Sequence, residues 1–206
     1  MQGLRFSAAS NRDRDSYYSA YPTSRTSTVR RLLNDFNLII STSRGNERNT
    51  CSEMWYLLGE VGDRGSTIET TSVIGLVVAR TKLDPIKAIR DLRALLKERP
   101  WEFKYTLKLV PIQRIVEAQI QSIEQAALDI ANRIEQKDKF RITVEKRHTA
   151  LSSKSIIDTV AKRIARTVDL DSPDRILMIE ILGELAGLSL IEPEDVLSVE
   201  REKRIS

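Results

Sequence analysis

From Asp35 onward, apolar and polar residues fall into short runs with two distinct periods. FNLIISTS (36–43) is an apolar run of strand length, and the turn RGNERN leads into a helix. The apolar face of that helix carries Met54, Trp55, Leu57, Leu58 and Val61, and Gly62 supplies its stop. Strands follow at 66–73 and 75–81, parted at Gly75. Asp84-Pro85 pairs a helix N-cap with proline at the first helical position. Ile86, Ile89, Leu92, Leu95 and Leu96 then recur on one helical face as far as Pro100. Residues 103–110 alternate cleanly and predict another strand.

This order, β-α-β-β-α-β, predicts a split ferredoxin-like unit over residues 35–110. A second unit, 111–200, opens with a predicted helix at 115–134, where Ile120, Ile123, Ile130 and Ile134 recur. Strand 140–146 follows, then a helix at 153–167 with Ile156, Ile157, Val160 and Ile164 facing inward. The turn DLDSPD leads to strands 176–182 and 186–191, broken at Gly183-Glu184, and Glu192, Glu194 and Asp195 mark a helix start. The fold class is therefore α/β (α+β), in two units of different connectivity. Residues 1–34, rich in Ser, Arg, Tyr and Thr without a sustained period, read as a disordered basic tail.

Composition narrows the chemistry. One cysteine, Cys51, and one histidine, His148, leave no material for a disulfide or a zinc centre. The helix around Cys51 points to burial rather than nucleophilic chemistry, and Glu53 and Glu60 read as solvated carboxylates of the same helix. Trp55 and Trp101 suit packing better than base stacking. No apolar run approaches the ~20 residues of a membrane helix, and no basic-then-apolar leader opens the chain, so a cytoplasmic protein is expected. The net charge of +4 equals that of residues 1–34, leaving the body neutral overall. Within the body the charge is segregated: eight bases face two acids between Lys139 and Arg166, whereas four face ten from Thr167 to Ser206.

The basic stretch carries the functional signal. Strand 140–146 ends in Lys146, Arg147 and His148, a serine-rich turn opens a helix at Ser153 and Lys154, and that helix adds Lys162, Arg163 and Arg166. Cations gathered at a strand end and along the next helix suit a phosphate backbone, which binds by charge neutralisation and counterion release. Each residue also has a structural alternative. Arg147 and Lys146 could pair with acidic neighbours, one serine is needed as the helix N-cap, and the later cations complement the helix dipole. Arg114 extends the basic set toward the first unit, as Lys104 and Lys108 would.

The proline-led PIQRIVEA (111–118), FRITVEKRHTALSSKSI (140–156) and VDLDSPDRILMIEILGELAGLSLI (168–191) resemble, in this order, the motifs of a THUMP domain. The first unit is similar to the ferredoxin-like domain that precedes many THUMP domains, and CSEMWYLLGEVGD (51–63) resembles the first helix of a stand-alone subfamily. The resemblance implies a tRNA-binding adaptor that presents the acceptor end, with its 3′-CCA, to a separate RNA cytidine acetyltransferase for N4-acetylcytidine formation. It implies RNA contact by Lys146, Arg147, His148, Ser153, Lys154, Lys162, Arg163, Arg166 and Arg114. No phosphate-loop, dinucleotide or zinc-deaminase motif occurs, so the expectation is a chain that is not an enzyme and takes no cofactor. The alternatives are a small RNA-modifying enzyme without a recognisable cofactor motif, and a protein-interaction module.

Overall fold

The computed structural model describes residues 35–205; the expected tail, 1–34, lies outside the described residues. Two five-stranded sheets form the body. The first is built from β1 (Leu38–Thr42), α1 (Glu47–Glu60), β2 (Thr67–Thr70), β3 (Leu76–Arg80), α2 (Pro85–Glu98) and β4 (Thr106–Pro111). This is the predicted β-α-β-β-α-β order. The second contains β5 (Arg114–Glu117), α3 (Ile120–Ala131), β6 (Lys139–Arg147), α4 (Ser153–Ala161), β7 (Thr167–Val168), β8 (Arg175–Leu182) and β9 (Leu185–Ile191). The chain ends with β10 (Leu197–Ser198) and α5 (Val199–Ile205). Strand orders are β10-β4-β1-β3-β2 and β5-β9-β8-β6-β7.

Strand alternation dictates how the layers stack. Leu38, Ile40, Val77, Ala79 and Leu109 point to one face of the first sheet and pack against Met54 and Leu57 of α1 and Ile89 and Leu92 of α2. Their neighbours Ile39, Leu76, Val78 and Val110 point to the other face and meet Ile176, Met178 and Ile191 of the second sheet. On that sheet's far side, Leu177, Ile179, Ile181 and Leu188 pack against Ile123 and Ala127 of α3 and Ile156 and Val160 of α4. The two sheets are thus apposed, with helices on both outer faces.

Several expectations change. The predicted helix 115–134 is a strand followed by a shorter helix. Ile115 and Val116 send their side chains to different cores, and β5 pairs antiparallel with β9 from Arg114↔Leu188 to Glu117↔Leu185. Two strand residues fused to a helical repeat hide the change of period. The helix expected at 153–167 ends at Ala161, because the chain must turn to lay β7 beside the start of β6. Glu53, expected to be solvated, is fully buried and accepts hydrogen bonds from the amides of Lys104 (2.6 Å), Tyr105 (2.9 Å) and Thr106 (2.9 Å). Trp101, expected to pack, is 55% exposed, whereas Trp55 packs against the first core. Cys51 is buried, and burial pushes its thiol up to about 12, which makes it inert as a nucleophile.

The expected second unit, 111–200, also changes at its end, because the last stretch returns to the first unit. Leu197 and Ser198 pair with Leu109 and Lys108 of β4, and Val199 enters the first core. A reciprocal cap between Glu192 and Asp195 turns the chain. Arg90 holds Asp195 (2.9 Å) and Glu192 (3.2 Å), while Arg175 holds Glu192 (2.9 Å) and Asp138 (3.3 Å). Arg93 clasps Glu202 at 2.7 Å. Three of the ten carboxylates of the C-terminal stretch, Glu192, Asp195 and Glu202, thus anchor it to α2 of the first unit.

Candidate nucleic-acid interface

β6 runs parallel to β8 in a continuous ladder from Phe140↔Arg175 to Arg147↔Leu182. Its other neighbour, β7, pairs only with Lys139 and Phe140. From Ile142 onward the outer edge of β6 has no partner strand among the described residues. The carbonyl of Phe140 accepts from Asp169 on the β7 side, and that of Arg147 accepts from Gly183 on the β8 side. Alternation then directs the main-chain groups of Ile142, Val144 and Lys146 outward. They form a short open edge within the basic stretch.

The end of this strand is pinned. Lys146 donates to the carbonyl of Leu151 (2.8 Å), and the Arg147 carbonyl is held by the Gly183 amide (3.0 Å). His148, exposed, has φ of 55°, unique for a non-glycine among the described residues. Such a conformation persists where surrounding contacts over-determine it. Ser152, one residue earlier than the expected helix start, caps α4 by accepting from the Ser155 amide (3.3 Å). Ser153 therefore occupies the first helical position rather than the cap, and Lys154 follows it, exposed.

Partners divide the expected site residues into two groups. Arg147 pairs with the buried Glu180 (2.7 Å), Lys154 with Asp158 (2.9 Å), Arg163 with Glu124 (3.0 Å) and Arg114 with Asp129 (2.8 Å). The Asp158 carboxylate raises the Lys154 pKa. Among the described residues Lys146 and Arg166 instead meet only carbonyl oxygens, those of Leu151 for the first and of Ile134 (3.1 Å) and Ala165 (2.9 Å) for the second. Lys162, exposed, has no ion pair among the described residues. These three keep an uncompensated positive charge.

β6, its following loop and α4 bring Lys146, Arg147, His148, Ser153 and Lys154 to one end of the second sheet. Lys162, Arg163 and Arg166 follow at the far end of α4. Arg114 stands apart: β5 is the opposite edge strand, separated from β6 by β9 and β8. At about 4.8 Å per strand that is roughly 14 Å across the sheet. Two residues escape a reading of charge runs alone. Arg141 reaches the Leu170 carbonyl (2.9 Å) from the same face of β6 as Arg147, and strict alternation along the strand was the signal for it. Glu180 was visible as one carboxylate inside the apolar run ILMIEIL.

Comparison with known proteins agrees with this geometry. The THUMP domain family matches residues 117–191, so the chain contains a THUMP domain, which suggests RNA binding. No curated protein matches the sequence. Among solved structures, PH1313 from Pyrococcus horikoshii Ot3 is similar at 17% identity and TM-score 0.51, covering 77% of this chain and 55% of that one. TrmN from Thermus thermophilus is similar at 18% identity and TM-score 0.52, covering 76% and 46%. SMU.472, a putative methyltransferase complexed with SAH, is similar at 15% identity and TM-score 0.48, covering 76% and 41%. These likenesses concern the fold, and the chain spans about half the length of each. They correct one expectation: the missing motifs do not make the chain non-enzymatic, because the fold it shares with PH1313 and TrmN makes up only about half of each of those longer chains. No helix among the described residues is long and apolar enough to cross a membrane.

Proposed function

We propose that this chain is the RNA-recognition part of a tRNA-modifying enzyme. The observation that carries the reading is the uncompensated positive charge of Lys146, Lys162 and Arg166 around α4, inside the THUMP domain. Phosphates bind where cations are not already neutralised, and releasing condensed counterions supplies most of the affinity. The open edge of β6 and the exposed His148 give unpaired nucleotides something to hydrogen-bond or stack on, as RNA recognition favours at unstacked ends. The rigid apposition of the two sheets would keep the bound acceptor end at a fixed distance from the nucleotide to be modified.

Cytidine N4-acetylation is the finer form of this reading, with an RNA cytidine acetyltransferase as partner, and it rests on the sequence resemblance alone. The test is binding of the purified protein to tRNA with and without its 3′-CCA over a salt series. Weaker binding without CCA, with a steep salt slope for both, supports acceptor-end recognition. Equal binding of the two forms refutes it. Acetylation is then assayed on the same tRNA with the acetyltransferase present, and a yield independent of this chain rejects that finer reading.

A further inference from the structure

Glu180 is out of place on chemical grounds. It lies on the face of β8 that carries Ile176 and Met178 into the inter-sheet core, and its side chain is 1% exposed. Burying a carboxylate there is costly even when paired, and replacing such a pair as a whole by well-packed apolar residues is often neutral or stabilising. Its partner Arg147 is 27% exposed on its side-chain atoms and lies between Lys146 and His148. Only one terminal nitrogen of that guanidinium, Nη1, engages Glu180, which leaves further donors of a five-donor fork. Lys108 of β4, in the other sheet, also faces Glu180, as does Glu145 of β6.

We infer that Glu180 is a positioning residue for RNA binding: it holds one edge of the Arg147 guanidinium so that the other meets a backbone phosphate at the seam between the two sheets, with Lys108 as the second cation. The inference rests on the RNA-binding reading and adds to it a residue that does not touch RNA. A buried carboxylate on an arginine removes the rotamer freedom that phosphate binding would otherwise have to freeze. Burial pushes the Glu180 carboxyl above the usual range, against the pull of Arg147 and Lys108. Acid therefore releases Arg147 before it neutralises ordinary carboxylates.

The experiment measures tRNA affinity of the full chain for wild type, Glu180→Gln, Arg147→Ala, their double variant and Lys146→Ala, each checked by thermal melting. Arg147→Ala is expected to weaken binding by up to about fivefold, the value of one uncompensated contact near ~0.15 M salt, since Glu180 offsets part of the arginine's charge but engages only one of its donors. Glu180→Gln should weaken it several-fold, with no additional loss in the Arg147→Ala background. Glu180→Leu, which leaves Arg147 without its buried partner and should melt below wild type, should lose the same affinity as Glu180→Gln, and equal affinities at unequal stabilities separate positioning from folding. The wild-type to Glu180→Gln affinity ratio should be largest at high pH and approach one as the pH falls through the Glu180 titration. Binding by Glu180→Gln at or above wild-type strength overturns the inference, as do multiplicative losses in the double variant or an Arg147→Ala without effect. In each of those cases a loss in Lys146→Ala leaves the RNA-binding reading standing. A wild-type protein that does not bind tRNA ends both.

Discussion

Removing the three uncompensated cations together is the most quantitative perturbation the interface allows. Lys146, Lys162 and Arg166 carry charge that no carboxylate of the described residues neutralises, whereas Arg163 and Lys154 are already paired at 3.0 and 2.9 Å. If each of the three meets one phosphate, the triple alanine variant lowers the slope of log K against log salt by about 0.7–0.9 per residue, or roughly 2–3 in all. Near ~0.15 M salt one contact is worth about fivefold, so the three cost on the order of a hundredfold in tRNA affinity. Replacing Lys154 and Arg163 should change the slope by much less, because their charge is compensated before RNA arrives. Lys146 and Lys162 are exposed, while Arg166 donates to the Ile134 carbonyl (3.1 Å). Its loss is set at about 1 kcal/mol of stability, which urea unfolding would report. The assay is fluorescence-anisotropy titration at four salt concentrations. A triple variant whose slope matches wild type, or a pair of silent controls that turn out dominant, would refute the assignment of phosphate contacts by charge compensation.

Other outcomes follow from single contacts. Glu53→Ala strands three main-chain amides and should cost about 3–6 kcal/mol in denaturant unfolding; a loss below ~1 kcal/mol would mean that water replaces the carboxylate. Val144→Pro removes one outward amide at an edge position, where proline is tolerated. It should leave the melting temperature nearly unchanged yet weaken binding to single-stranded RNA ends, whereas Thr143→Pro breaks the β8 ladder and should unfold the domain; similar behaviour of the two contradicts the deduced edge. Asp63 is pushed up by burial, but hydrogen bonds from the Thr81 hydroxyl and the amides of Lys82 and Gly65 outweigh this and hold its pKa below the usual value. Its contribution to stability is thus present above the unfolded pKa of about 4 and is lost as the pH falls through the lowered folded value. Asp63→Asn should be less stable than wild type at pH 7 and converge with it under acid, as followed by circular dichroism. A stability difference that stays constant down to that range counts against the sign.

The first sheet was legible because each of its elements keeps one period over its whole length, from the Asp84-Pro85 start signal to the alternation in β4. The second sheet was harder. β5 is four residues long and adjoins α3, so Ile115 and Val116 fall into register with the isoleucines of the helix that follows. The exception in the first sheet is β10, two residues long and without a pattern of its own, whose return to β4 is a tertiary contact that no local window contains. The basic strand end and the Ser152 cap were visible in the chain, but which cations are neutralised was not. Glu124, Asp129 and Glu180 lie 15 to 39 residues from the arginines they hold. Charge runs predict where a surface is positive; only the fold tells which of those charges remains to be used.

The position of bound RNA on the molecule is the most direct test of an interface built on β6 and α4. Photo-crosslinking of tRNA to the full chain, with the linked peptides mapped by mass spectrometry, reads this without mutation. Crosslinks concentrated between Lys139 and Arg166, with His148 among them and with fewer when the 3′-CCA is absent, are the predicted result. Crosslinks confined to residues 1–34, or spread over the outer face of the first sheet, would contradict it.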